Sequence, residues 1–174
     1  PIYNKPMIYY PLSTLMLGGI REYLIITNPS HLKLYQNLLG YGDNLGINIK
    51  YKIQKKPEGL PQAFIIGEKF INNEPVCLNL GDHIFFGNDV NRLLKKNINS
   101  FKKTTIFAYR HKKSNEYGVI NLDKKNRPIS ISEKPNKPKS NLIVCGLYIY
   151  DKNVVELSKN LKFSKRGELE ISDL

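Results

Sequence analysis

Side chains suited to handling a phosphorylated sugar recur where apolar runs of this chain end. Val76-Cys77-Leu78-Asn79-Leu80 runs into Gly81-Asp82. It reads as a buried strand closing on an acid, and ligands of open α/β sheets sit beyond the carboxyl ends of strands. A carboxylate there is a hard-oxygen ligand for Mg²⁺, which takes one or two carboxylates and fills its shell with water and substrate phosphates. Tyr117-Gly118 opens a later strand, where Gly118 lets a backbone N–H approach a ligand closely. Glu133-Lys134-Pro135 closes another. Glu133 can accept hydrogen bonds from sugar hydroxyls, Lys134 is a mobile point charge for phosphate, and Pro135 is expected to hold Lys134 extended. Arg166-Gly167-Glu168 adds a guanidinium fork that matches a phosphate. Gln54, in the loop that leads to Gly59, carries an amide donor and acceptor and can read the imide edge of a pyrimidine. The Gly59 N–H can serve a base carbonyl. Together these parts suit phosphoryl transfer to or from a sugar phosphate. Each also has a plainer reading: a turn acid at Asp82, a bulge at Gly118, a solvated pair at Glu133 and Lys134, a helix-terminal ion pair at Arg166, and an ordinary loop at Gln54–Gly59.

The elements that must position these groups follow from apolar periodicity. Pro6 to Leu17 reads as a helix ended by Gly18-Gly19, with Ile8, Leu12, Leu15 and Met16 at helical spacing. Tyr23–Ile26 is a short buried strand. A helix capped by Ser30 and ended by Gly40 follows, then an alternating strand from Ile47 to Ile53. Pro61 to Phe70 reads as one helix, Val76 to Leu80 as a strand, and Asp89 to Ile98 as a helix with Val90, Leu93, Leu94 and Ile98 inward. Strand and helix alternate to this point, which indicates crossover units in a mostly parallel sheet. Four strands come next, Thr104–Tyr109, Tyr117–Leu122, Ile129–Glu133 and Leu142–Tyr150, with a turn at Asp123–Asn126. Asp151 is placed to cap a helix carrying Val154, Val155 and Leu157. The expected fold is a three-layer α/β/α arrangement around a mixed sheet.

The 174 residues suffice for one domain with a core, and 41% apolar with 24% charged residues reads as globular. No apolar run reaches bilayer length. Cys77 and Cys145 lie inside apolar runs and read as buried free thiols. His31, His83 and His111 lack metal-ligand spacing and read as surface or turn residues. The net charge of +12, from 27 Lys and Arg against 15 acids, is spread along the chain beside Asn and Ile. It predicts nonspecific attraction to nucleic acid and no specific recognition. No G-x-S-x-G, C-x-x-C or Walker-type loop occurs, so hydrolase, thiol and P-loop chemistries lack support.

In order along the chain, Pro1-Ile2-Tyr3-Asn4-Lys5-Pro6-Met7-Ile8-Tyr9-Tyr10-Pro11-Leu12, Gly59-Leu60-Pro61-Gln62-Ala63-Phe64, Leu80-Gly81-Asp82, Glu133-Lys134-Pro135, Gly146-Leu147-Tyr148 and Arg166-Gly167-Glu168-Leu169-Glu170 resemble the glucose-1-phosphate thymidylyltransferases. The resemblance implies a Rossmann-like, nucleotide-diphospho-sugar transferase type of fold. It implies transfer of a nucleotidyl group from dTTP to glucose-1-phosphate with Mg²⁺, for dTDP-L-rhamnose and lipopolysaccharide synthesis. By position it makes Gln54 and Gly59 the thymine-reading pair and Asp82 one of two Mg²⁺ carboxylates. Gly118, Glu133 and Val144 become contacts to glucose hydroxyls, Leu60, Tyr117 and Tyr148 shape the sugar pocket, and Lys134 and Arg166 clamp the phosphate. A homotetramer in the cytoplasm, with a regulatory dTDP-sugar site between subunits, is implied too. His83 stands where that family has Asn, for which a small consequence is expected. The family's Gly-rich phosphate loop belongs before Pro1 and its second metal carboxylate after Leu174. Residues 1–174 are therefore expected to be one incomplete nucleotidyltransferase domain, inactive alone, since one such contact is worth about 10²–10³ in rate. The first strand of the sheet would also be absent, leaving an apolar edge. A UTP-dependent relative, a non-catalytic nucleotide-sugar binder and, on the charge of +12 alone, a nucleic-acid-binding module are the rival readings.

Overall fold

A computed structural model describes residues 2–87 and 89–174; Pro1, at the start of the amino-terminal stretch above, lies outside them. The elements in order are α1 (Tyr9–Leu17), β1 (Glu22–Thr27), α2 (Leu32–Leu39), β2 (Asn48–Ile53), α3 (Gln62–Ile66), α4 (Glu68–Ile71), β3 (Val76–Asn79), α5 (Val90–Asn99), β4 (Thr105–Arg110), β5 (Gly118–Leu122), β6 (Pro128–Glu133), β7 (Leu142–Tyr150) and α6 (Val154–Asn160). The mixture of α and β is the expected α/β fold.

Strand β7 organises the molecule. Its nine residues alternate faces with the period of two that a strand imposes. Leu147 and Ile149 enter a cluster with Leu12, Leu15, Tyr23, Ile49 and Leu94, under α1 and α5. Tyr148 and Tyr150 enter another with Phe64, Ile71, Val154 and Val155, under α3, α4 and α6. Helices thus cover both faces, giving three layers. Removing each large side chain from water stabilises the fold by about 1.5–3 kcal/mol. At the end of α1 a Cβ on Gly18 would lie 2.7 Å from Leu94 Cδ2, so the missing side chain lets α5 close on α1.

The sheet differs from the mostly parallel one expected. β1 and β2 pair in parallel, as the crossover through α2 requires, but form a separate two-stranded sheet. Every pairing in the five-stranded sheet is antiparallel. The reason is the return of the chain through β5 and β6, which brings β7 back against β3 in the reverse direction. Ile149 pairs with both Thr105 and Cys77, and Ile143 with both Tyr109 and Val119. A strand residue has one neighbour per edge, so β4 runs along one edge of β7 while β3 and β5 share the other. An apolar cavity of about 580 Å³ separates the two sheets, lined by Leu24 and Ile26 of β1 and by Val76 and Leu78 of β3. The cavity leaves β3 half-buried where a buried strand was expected.

Smaller corrections have local causes. The helix expected from Pro61 to Phe70 breaks at Gly67, which packs against Ala63 and Leu24. Ser30 does not cap α2: its hydroxyl donates to Asn28 Oδ1, and that same oxygen takes the His31 N–H at 2.9 Å. Asp151 does act before α6, accepting the Asn153 N–H at 2.8 Å. Leu93 and Leu157 point outward rather than into the core. The Asp123–Asn126 turn forms as expected, with Asp123 Oδ1 taking the N–H groups of Lys125 and Arg127. Both cysteines are free, and burial pushes their thiols up, to about 12 for Cys77 and about 11 for Cys145.

Candidate active site

The shared edge of β7 creates the site. β3 pairs down to Asn79–Leu147, and β5 resumes pairing at Val119–Ile143. Between them lie Val144, Cys145 and Gly146. Leu80 donates its N–H to Gly146 O at 2.9 Å, and the chain then turns away through Gly81-Asp82. From the other side Gly118 opens β5. Residues remote in sequence therefore meet over one three-residue stretch.

Gly118 stands opposite Glu133 in the β5–β6 register. A Cβ on Gly118 would lie 3.2 Å from Glu133 Oε2 and 3.6 Å from Val144 Cγ2, so Gly118, Glu133 and Val144 do come together. Tyr148 lies beneath Val144 in the same cluster, buried; that burial, with Tyr150 and Glu133 adding to it, drives its phenol far above the ordinary range. Its ring is part of the packed core behind Val144. Tyr117 is half-buried, its ring edge-on to His111 at 5.3 Å. Lys134 is not extended. Its φ is +40°, and its N–H donates to Tyr117 O at 3.1 Å. The ladder thus continues one residue past β6 before the chain turns, and this tie overrides the restriction imposed by Pro135. A non-glycine residue held there is strained, as residues at ligand sites often are.

Arg166 faces three carboxylates. Nη1 lies 3.6 Å from Glu133 Oε1 and 3.4 Å from Glu170 Oε2, and Nη2 lies 3.4 Å from Glu168 Oε2. Glu170 is 8% exposed and takes the Ser164 hydroxyl at 2.7 Å. Burial, then the nearby Glu170, raises the Glu133 pKa, with Lys134 and Arg166 opposing. The Arg166 distances exceed those of tight charge-assisted bonds, so the fork is held loosely and can exchange partners.

A second hollow, about 370 Å³, is lined by Ile26, Gln54, Gly59, Leu60, Gly81 and Glu168 among others. Gln54 extends from the end of β2, its N–H bound to Thr27 O at 2.8 Å. Gly59 has φ +107° and forms a parallel bridge to Leu169, with the Leu169 N–H donating to Glu58 O at 2.8 Å. That bridge, together with Glu168, joins the hollow to the Arg166 cluster.

Asp82 stands at the rim with its side chain 78% exposed, its Oδ1 2.7 Å from His83 Nδ1. A carboxylate only accepts, so Nδ1 carries the proton. His83 is half-buried, stacked on Phe85, and packed so closely on Gly146 that a Cβ there would lie 2.8 Å from its ring. It is therefore no bystander, contrary to the surface reading. Among the described residues no three His, Cys, Asp or Glu side chains could cage an ion. One exposed carboxylate fits instead the way Mg²⁺ is held jointly with substrate phosphates.

Sequence reading missed Glu58, Gln62, Glu168, Glu170 and His83 as parts of this arrangement. The alternation Glu168-Leu169-Glu170 around a residue that bridges to Gly59 was the available signal.

The nucleotidyl transferase family model matches residues 1–174. A glucose-1-phosphate thymidylyltransferase of Neisseria meningitidis serogroup A is 52% identical over the whole chain, which spans 60% of that relative's length. A Bacillus anthracis chain assigned to the same enzyme and crystallised with sucrose superposes with a TM-score of 0.89 at 34% identity, over 99% of this chain and 70% of its own. A UDP-glucose pyrophosphorylase complexed with UDP-glucose gives 0.84 at 25% identity, over 99% and 74%. No helix among the described residues is long and apolar enough to cross a membrane. With a matching family model along its whole length and these relatives, the chain belongs to the nucleotidyl transferase family.

Proposed function

We propose that this chain carries the base- and sugar-binding part of an enzyme that transfers a nucleotidyl group from dTTP to glucose-1-phosphate, giving dTDP-glucose and pyrophosphate. The observation that carries the reading is the continuity of the Gln54–Gly59 hollow with the Glu133–Arg166 cluster, through the Glu58–Leu169 hydrogen bond. A hollow for a base and a polar cluster for a phosphorylated sugar lie side by side, as a nucleoside-diphosphate sugar needs. The thymidylyltransferase names of relatives up to 52% identical support the same reading.

In this reading Gln54 and the Gly59 N–H hold the base edge, and Leu60 floors the adjoining space. Glu133 and the backbone of Gly118 and Val144 hold sugar hydroxyls, with Tyr117 and Tyr148 as walls. Arg166 and Lys134 bind the sugar phosphate, the phosphate replacing carboxylates at the loosely held guanidinium. One phosphate oxygen then attacks the α-phosphorus of dTTP in line, and the bond to the pyrophosphate oxygen breaks. No covalent enzyme intermediate is needed, so holding the reactants in line and neutralising charge supply the rate. Asp82 would hold Mg²⁺, which neutralises phosphate charge when bound. Cytoplasmic supply of dTDP-L-rhamnose for lipopolysaccharide, by a homotetramer, is the setting proposed.

Calorimetric titration with dTDP-glucose and UDP-glucose tests the reading. Binding of dTDP-glucose that Arg166→Gln weakens about tenfold or more is expected. Binding of neither sugar nucleotide refutes it, and a preference for UDP-glucose assigns the uridylyl relative instead.

A further inference from the structure

Resting on the nucleotide reading above, we propose that Gln62, anchored by Glu58, fixes which end of the Gln54 amide faces the base. The site thereby accepts an imide N–H and refuses a ring nitrogen acceptor. An amide by itself does not discriminate. Its oxygen and nitrogen ends are nearly the same shape, and a half-turn would let Gln54 serve either thymine, which presents N3–H, or cytosine, which presents a bare N3.

The surroundings remove that freedom. Gln54 Nε2 donates to Gln62 Oε1. The same oxygen accepts the Glu58 backbone N–H at 3.3 Å, while Gln62 Nε2 donates to Glu58 Oε2 at 2.6 Å. Both anchors are groups that cannot change sign: a carboxylate only accepts and a backbone N–H only donates. Turning Gln62 over would set its NH₂ against that N–H and its oxygen against the carboxylate. Gln62 must therefore offer its oxygen to Gln54, and Gln54 must answer with its NH₂. The Gln54 oxygen is left for the hollow that Gln54 lines. A carbonyl in that position accepts N3–H of thymine or uracil and opposes the lone pair of cytosine N3. The relay does not separate thymine from uracil, since it never meets the 5-methyl group. The anchor is itself fixed, because the Glu58 carbonyl takes the Leu169 N–H at 2.8 Å. Gln62 is thus a positioning residue, acting through Gln54.

The test uses the whole chain with Mg²⁺, titrated calorimetrically with dTDP and with dCDP. The wild-type chain is expected to prefer dTDP by at least about 100-fold, since a site built around one hydrogen bond rejects the partner lacking it strongly. Gln62→Met, similar in size but unable to accept, should lower that preference at least about tenfold. Glu58→Gln keeps the backbone N–H that fixes Gln62 Oε1 and still offers an amide oxygen to Gln62 Nε2, so it should keep the preference within about threefold. A ligand-free readout stands beside these. Exchange of the Gln54 side-chain amide protons, resolved by NMR against Gln36, should be slowed in the wild type and Glu58→Gln and fast in Gln62→Met. An unchanged dTDP preference in Gln62→Met overturns the relay. A slowed Gln54 amide in a chain that binds neither nucleotide overturns the nucleotide reading and the base discrimination with it, and the exchange data separate the two failures.

Discussion

Replacing Gly59 by Ala strikes the joint between the base hollow and the phosphate cluster. The backbone of Leu169 passes so close to Gly59 that a Cβ there would lie 2.1 Å from its carbonyl oxygen and 2.7 Å from its nitrogen. Neither is the movable tip of a side chain, so the two segments must part. Three penalties follow. An L-residue at φ +107° is strained by about 1–2 kcal/mol. Loss of the Leu169–Glu58 backbone hydrogen bond removes about 1 kcal/mol. Residual overpacking adds about 1–3 kcal/mol. The sum, about 3–6 kcal/mol, is a large share of a typical domain stability of about 5–15 kcal/mol. With a urea slope of about 2 kcal/mol per molar, the midpoint should fall by about 1.5–3 M. Gly46→Ala isolates the strain, because Gly46 has φ +66° and a Cβ there would meet nothing within 4 Å. It should lower the midpoint by no more than about 1 M. Far-UV circular dichroism follows both transitions. If Gly59→Ala unfolds at the same urea concentration as Gly46→Ala, the close approach of Leu169 is not a constraint and the joint between the two halves is wrong.

Other expectations follow from the same geometry. Glu133 has a raised pKa, so its contribution to stability is intact below the ordinary carboxylate value and is lost as pH climbs through the folded one. Glu133→Gln should flatten that decline, measured as urea midpoints between pH 4 and 7, while weakening glucose-1-phosphate binding; an unaltered slope would remove burial as the cause. The two thiols, displaced to about 12 and about 11, should react with a disulfide reagent at pH 8 at least about 100-fold more slowly than in urea. Equal rates would show that the strands bearing Cys77 and Cys145 open freely.

How much of this was legible in the chain depended on how far each interaction reached. β7 was read to its exact ends because a run apolar at every position but Gly146 lies between a polar loop and Asp151. The β1–β2 crossover and the Asp123 turn were equally plain, each being set by nearby residues. The antiparallel attachment of β3 to β7 was not, because no local pattern encodes which distant edge a strand joins. The same limit hid the site's second layer. Arg166 stood out as a cation beside Glu168 and Glu170, but its third partner, Glu133, becomes visible only once β6 lies beside the Ser164–Glu170 loop. Gln62 read as the start of a helix, and its tie to Gln54 depends on where β2 ends. Lys134 read as extended from the proline after it, whereas the hydrogen bond to Tyr117 decides its backbone.

The sharing of one β7 edge by β3 and β5 also dictates when the protein can take shape. During synthesis Val76–Asn79 emerges long before Leu147–Tyr150, the only residues it pairs with among those described. At roughly 5–20 residues per second, β3 waits on the order of several seconds for its template. Such distant pairing makes folding slow and leaves sticky intermediates meanwhile. The nascent chain can close β1 on β2 early, but β3 stays without its partner until about six-sevenths of this stretch has been made, so chaperone demand should peak just before residue 150 is made.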